Sequence, residues 1–202
     1  MMLIHIDQHY DHIDFSNSDL CYGELRNCTF HECTFNGTLL EEVLTMNCQF
    51  INCNLSNANL NASQHIGSAF TNCRFKGSNL FVSKFDNCKM VGSDFGEARM
   101  DGITIIEGDW SYTNLRHVNF GKQDLRKIRF MEADLYQANL EKADLRDADL
   151  TRVQLSNARL QGADLRGAIL DGIDFKSLDI KGVRMDLIQA SSFARSYGAR
   201  ID

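Results

Sequence analysis

The chain contains no proline. Proline removes a backbone donor, so its absence suits a fold in which every N–H enters one ladder. No apolar run approaches the roughly 20 residues that a membrane-spanning helix needs. Bases are in deficit: 21 against 27 acids, a formal net charge of −6. That excludes the basic footprint of a nucleic-acid binder, so no direct nucleic-acid binding is expected. Pro-rich and Gly/Ser-rich linkers are also missing, and the length suits one ordinary domain. Met1–Ile6 has neither the basic start nor the long apolar region of a secretory signal, so the expected compartment is the cytoplasm. There is no Gly-rich phosphate loop, no nucleophile elbow and no carboxylate pair at a recognisable cleft. No catalytic residue and no cofactor are therefore expected, and the chain reads as a non-enzymatic binding protein.

What is present is a period of five. Residues 133–152 read Ala-Asp-Leu-Tyr-Gln, Ala-Asn-Leu-Glu-Lys, Ala-Asp-Leu-Arg-Asp, Ala-Asp-Leu-Thr-Arg. Neither a helix, at 3.6, nor a strand, at 2, has that period. Self-similarity at a fixed short period marks a repeat architecture. With the Leu position taken as a centre, centres fall on every multiple of five from Phe15 to Met185 without a change of phase. Of these 35 centres 33 are apolar, and the residue two before is small at 25 of them. A large and a small residue two apart share one side of an extended segment. Their alternation fills a narrow interior without voids.

These residues resemble the pentapeptide-repeat family, whose motif is Ala-Asp/Asn-Leu-X-X. The resemblance covers residues 13–185. It implies an all-β solenoid: a right-handed, quadrilateral parallel β-helix in which four pentapeptides make one coil. At the usual strand spacing the repeats would stack to roughly 40 Å. Residues 1–12 are expected as an N-terminal cap, with Leu3, Ile4 and Ile6 covering the open end of the first coil, which would otherwise be an exposed edge.

Six of the seven cysteines (Cys28, Cys33, Cys48, Cys53, Cys73 and Cys88) sit two before a centre, at the small site. They are expected to be buried, reduced and apolar in role. No Cys-x2-Cys pair argues for zinc. His5, His9 and His12 lie close in sequence, but no ligand pattern accompanies them, so no metal is expected. Thr45 and His65 stand at centres. They lie four pentapeptides apart, hence on one face of successive coils. Two readings are open: a local bulge that turns Leu44 or Ile66 inward, or a projecting loop that touches a partner. Ile103–Trp110 is a third irregular stretch, with Ile105 and Trp110 as unusual centres.

Charge is uneven. Residues 1–100 carry 11 acids and 6 bases, residues 101–202 carry 16 and 15. Asp124, Asp144 and Asp164 recur once per coil, with Arg126, Arg146 and Arg166 two positions on, which predicts self-neutralising columns. After Met185 the fivefold pattern stops. Residues 186–198 read as a short helix with Asp186 as N-cap and Gly198 as stop. So short an apolar helix needs a surface to cover. It would cap the last coil or pair with a second copy about a twofold axis.

Gly182-Val183-Arg184-Met185-Asp186, Gln189-Ala190-Ser191, Arg195 and Gly198 are similar to the C-terminal end of Qnr-type quinolone-resistance proteins. That resemblance implies a homodimer joined through 186–202, with Leu187, Ile188, Ala190, Ser191, Phe193 and Ala194 at the interface. It further implies a B-DNA mimic that binds DNA gyrase and topoisomerase IV. Asp14, Asp19, Glu24 and Asp94 would then stand in for phosphates. The loops that interrupt the repeats in several Qnr members have no counterpart here. A structural scaffold with some other protein partner is the alternative.

Overall fold

The pentapeptide pattern has one simple geometric solution. The centre and the small residue two before it turn inward, and the positions between face solvent. In the computed structural model, which describes residues 4–201, every centre from Leu25 to Phe175 is buried. Leu135, Leu140 and Leu145 all point into the interior. Backbones pair in parallel four pentapeptides apart: Ile4 with Glu24, His9 with Thr29, Asp14 with Thr34, Asp19 with Leu39. Four faces, one pentapeptide each, close one coil. The architecture is a parallel β-solenoid with a short C-terminal helix. The chain divides into two compact units, Met1–Asp109 and Trp110–Asp202, a division that the unbroken phase did not announce.

Unit 1 carries the strands. β1 (Ile4–Ile6), β3 (Glu24–Arg26), β5 (Leu44–Met46), β7 (Gln64–Ile66), β9 (Lys84–Asp86) and β10 (Thr104–Ile106) form one parallel sheet in that order. β2 (His9–Asp11), β4 (Thr29–His31), β6 (Gln49–Ile51) and β8 (Ala69–Thr71) form the second. The stretch expected as a cap therefore supplies, from residue 4 on, two strands of the first coil. His5 and Tyr10 take the inward positions while Ile4 and Ile6 are exposed on either side of His5; Leu3 lies outside the described residues. Inside, aromatic rings stack from coil to coil: Tyr10 on Phe30 at 5.0 Å, Phe30 on Phe50 at 4.6 Å, Phe50 on Phe70 at 4.5 Å.

The cysteines mark a local rule. Each of the six follows directly on a strand and its corner residue, where the corner is a bend without a closing hydrogen bond. All six are buried and free. Each thiol donates to a centre carbonyl of the preceding coil, as Cys48 Sγ does to Leu25 O at 3.2 Å and Cys53 Sγ to Phe30 O at 3.3 Å. Burial pushes the Cys48 thiol up to about 11 and that of Cys88 to about 12. Both stay protonated donors. After β10 the same site is Gly108, where an added Cβ would lie 2.3 Å from the Cys88 carbonyl oxygen.

Unit 2 is built from single-residue bridges, such as Asn114 with Asp134 and Asp124 with Asp144. Its corners are closed turns. Ala133 N–H donates to Phe130 O at 2.8 Å and Ala138 N–H to Leu135 O at 3.0 Å. The third residue of each turn has positive φ, 55° at Glu132 and 56° at Gln137, as a type II turn requires. Alanine fits the small site there because the turn's own N–H serves the centre carbonyl.

The last coil ends in a 3-10 turn, Phe175–Ser177, and helix α1, Leu187–Ser196. Asp186 is the N-cap: Ile188 N–H donates to its Oδ1 at 2.9 Å, and Gln189 Oε1 accepts from the Asp186 N–H at 3.0 Å. Gly198, at φ 89°, follows the helix end. No helix among the described residues is long and apolar enough to cross a membrane.

Candidate partner-binding surfaces

The acidic residues have a structural task before any functional one. The Asp or Asn before a centre accepts the N–H two residues on: Ser16 to Asp14 at 2.8 Å, Cys21 to Asp19 at 3.1 Å, Gly96 to Asp94 at 2.9 Å. This Asx geometry explains the second residue of the motif. Hydrogen bonds from Ser16 hold the Asp14 carboxyl below its usual range, and that of Cys21 does so for Asp19. Glu24 is bound by Arg26. The four carboxylates singled out from sequence do not form one patch. They occupy three different faces of the coil. Asp14 and Asp94 share a face, with Thr34, Asn54 and Arg74 on the rungs between them.

The acid excess is sharper than the half-chain count suggests. Residues 1–43 hold eight acids and one base, Arg26, and residues 44–73 hold no Asp, Glu, Lys or Arg. In unit 2 the acids are matched. Arg126, Arg146 and Arg166 each grip the Asp two residues before through Nε and Nη2, at 2.8–2.9 Å and 2.6 Å. The Arg166 bond holds the Asp164 carboxyl down at about 2. These are the self-neutralising columns expected from the once-per-coil recurrence.

Thr45 and His65 do not project, and neither Leu44 nor Ile66 replaces them inside. Both stay in register at centre positions, each 1% exposed. Thr45 Oγ1 meets His65 Nδ1 at 2.8 Å and Ser68 Oγ at 3.0 Å, and Ser63 Oγ meets His65 Nε2 at 2.9 Å. The imidazole stacks on Phe85 at 4.7 Å. Partnering satisfies the polar atoms, so two polar centres are tolerated where an isolated one would be costly. Burial drives the His65 pKa down to about 3, and the ring is neutral near pH 7.

The helix presents a divided face. Leu187 and Ile188 are 89% and 74% exposed, and Ala190 is exposed. Ser191, Phe193 and Ala194 are half-buried, with Phe193 edge-on to Phe175 at 5.5 Å. The residue that docks the helix is one that sequence reasoning passed over. Gln189 is buried, and its Nε2 donates to Ala168 O at 3.0 Å. Asp186 Oδ2 accepts from Gly167 N–H at 2.9 Å. The capping spacing of Asp186 and Gln189 was the available signal.

The histidines also sort differently from their spacing in the chain. His5 turns inward to bond Tyr10. His12 joins Asp11 and His31, which comes from the next coil.

The model of the pentapeptide repeats matches residues 10–43, 46–80, 113–152 and 154–187, in eight copies. The chain belongs to the pentapeptide-repeat family. No curated protein matches it. Among solved structures it is similar over 97% of its length, and 100% of the other chain, to QnrB1, a plasmid-mediated fluoroquinolone resistance protein, with 23% identity and a TM-score of 0.86. It is also similar to HetL, a pentapeptide-repeat protein involved in heterocyst differentiation regulation from the cyanobacterium Nostoc, with 20% identity, a TM-score of 0.60, and coverage of 90% of this chain and 86% of that one. These likenesses confirm the solenoid that the fivefold repeat predicts.

Proposed function

We propose that this pentapeptide-repeat protein is a non-enzymatic, cytoplasmic DNA mimic. It binds a type II topoisomerase, DNA gyrase or topoisomerase IV, and modulates it or protects it from quinolone-type inhibitors. The observation that carries the reading is the full-length correspondence with a fluoroquinolone resistance protein at a TM-score of 0.86. The acid-rich first coils support it, since eight acids against one base favour a basic groove by electrostatic steering. The exposed Leu187 and Ile188 suit a twofold pairing of C-terminal ends. A gyrase supercoiling assay with and without a quinolone tests the reading: the protein should inhibit supercoiling or relieve drug inhibition at low salt. Replacing Asp14, Asp19 and Asp94 by Asn and Glu24 by Gln together should weaken binding more than any single change, because the screened charges act in sum. Asn keeps the Asx acceptor, so the fold survives the loss of charge. A protein without effect on gyrase, sedimenting as a monomer, would favour the scaffold reading.

A further inference from the structure

At one corner of the first two coils, four ionisable side chains stack in a two-by-two array. The parallel register sets Asp11 opposite His31. The corner residues that follow, His12 and Glu32, both take positive φ, 53° and 51°, and His12 N–H donates to His31 O at 2.9 Å. The backbone thereby places carboxylate against imidazole in one column and imidazole against carboxylate in the next, at a coil spacing of about 4.8 Å. Asp11 Oδ1 lies 2.7 Å from His31 Nδ1, and Asp11 Oδ2 lies 3.8 Å from His12 Nε2. On the far side of its ring, His12 Nδ1 lies 3.2 Å from Glu32 Oε2. One donor atom from each of Asp11, His12 and His31 is within 4.8 Å of the other two.

We propose that Asp11, His12 and His31 form a surface site for a divalent cation of the zinc class, with Glu32 orienting His12. Two imidazoles and a carboxylate are the donor set that zinc takes when three protein ligands leave a position open to solvent. Ligands about 2.0–2.1 Å from a tetrahedral ion lie about 3.3 Å from one another. The separations of 2.7 and 3.8 Å, one from each oxygen of the Asp11 carboxylate, fall on either side of that value. The Glu32 carboxylate on His12 Nδ1 is the outer-shell acceptor that fixes the tautomer and turns Nε2 toward the ion. The surrounding acid excess attracts cations. The proposal does not depend on the topoisomerase reading.

The test uses the full chain after treatment with a chelator. Co2+ should produce the visible ligand-field absorption of a low-coordinate nitrogen and oxygen site, and Zn2+ should displace it with one-to-one stoichiometry. His12→Ala and His31→Ala should each lower the affinity about tenfold or more, while His9→Ala and Cys21→Ser should leave it unchanged. Zn2+ should raise the melting temperature of the wild type and of the His9 variant, but not of the other two histidine variants. Circular dichroism checks that each variant is folded, and Asp11→Asn supplies a milder change should either alanine variant fail to fold. Absence of the Co2+ band and of any Zn2+ heat would overturn the proposal. So would affinity undiminished in His12→Ala and His31→Ala, or lost in Cys21→Ser.

Discussion

The two units use one motif in two ways. Unit 1 devotes three residues per rung to strand pairing at two of its faces, leaves the following corner open, and from β3 to β9 fills the small site there with cysteine or, at Ser68, serine. Unit 2 pairs single residues, closes its corners with hydrogen-bonded turns, and from Ala133 to Ala168 uses alanine at every small site but Val153. Where a turn bond serves the centre carbonyl, a methyl group is enough. Where the corner is open, a small side chain that can donate fits better. The same contrast holds outside. Unit 2 pairs Asp124, Asp144 and Asp164 with an arginine two residues on, whereas the first coils of unit 1 carry acids almost without bases. One unit reads as a self-contained scaffold and the other as the chemically exposed part.

The interior of unit 2 is where the contrast breaks first. Leu145 is fully buried among apolar side chains. Leu145→Asp should destabilise by several kcal/mol, because a buried charge has no partner there. Denaturant titration checks this, and a midpoint that stays near the wild type would refute the inward register.

Unit 1 should differ in its response to acid. The His65 pKa, about 3 when folded, lies below the ordinary value of 6.5. The unfolded chain therefore takes up a proton that the folded chain refuses, and stability falls as pH drops from about 6.5 toward 3. The slope is at most about 1.4 kcal/mol per pH unit. Between pH 6.5 and 4.5, before the carboxylates titrate, His65→Phe should flatten the curve. Phe fits the stack on Phe85, and Thr45 and Ser63 keep their bonds to Ser68 and Ser83. His31 acts in the opposite sense. Its pKa is raised by the bond to Asp11, so its contribution is lost as pH rises. It is half-buried at the surface and reached by solvent, so its effect should be the smaller.

Three smaller effects sharpen the comparison. Gln189→Ala removes the buried amide that ties α1 to Ala168 and should cost about 1–3 kcal/mol, with amide exchange rising first in residues 187–196. Cys73→Ala in unit 1 should cost about 1–2 kcal/mol through a lost sulfur and a small cavity, whereas alanine is already native at Ala133, on the same face in unit 2. Arg146→Ala should give the smallest shift in melting temperature, since a pair at the surface contributes little and salt screens it.

The fold was legible because a strict repeat states one local rule 35 times. Inward centres and the buried cysteines follow from the phase, since side-chain direction in an extended segment is set by parity; the four-pentapeptide coil, and with it the stacked Asp and Arg columns, came from the resemblance to the pentapeptide-repeat family. The N-cap at Asp186 was legible for a similar reason, being a local hydrogen-bond pattern.

What the sequence left undecided depends on neighbours one full coil away. Thr45 and His65 break the motif when read singly, and only stacking shows that they satisfy each other. The acids grouped by charge alone, Asp14, Asp19, Glu24 and Asp94, fall on three faces. Asp11, His12 and His31 meet because the coil brings residue 31 back beside residue 11. Composition and period determined the backbone, through local sterics and burial. The groupings of polar and charged side chains were decided by the tertiary structure, because electrostatic and hydrogen-bond partners are chosen by distance in space.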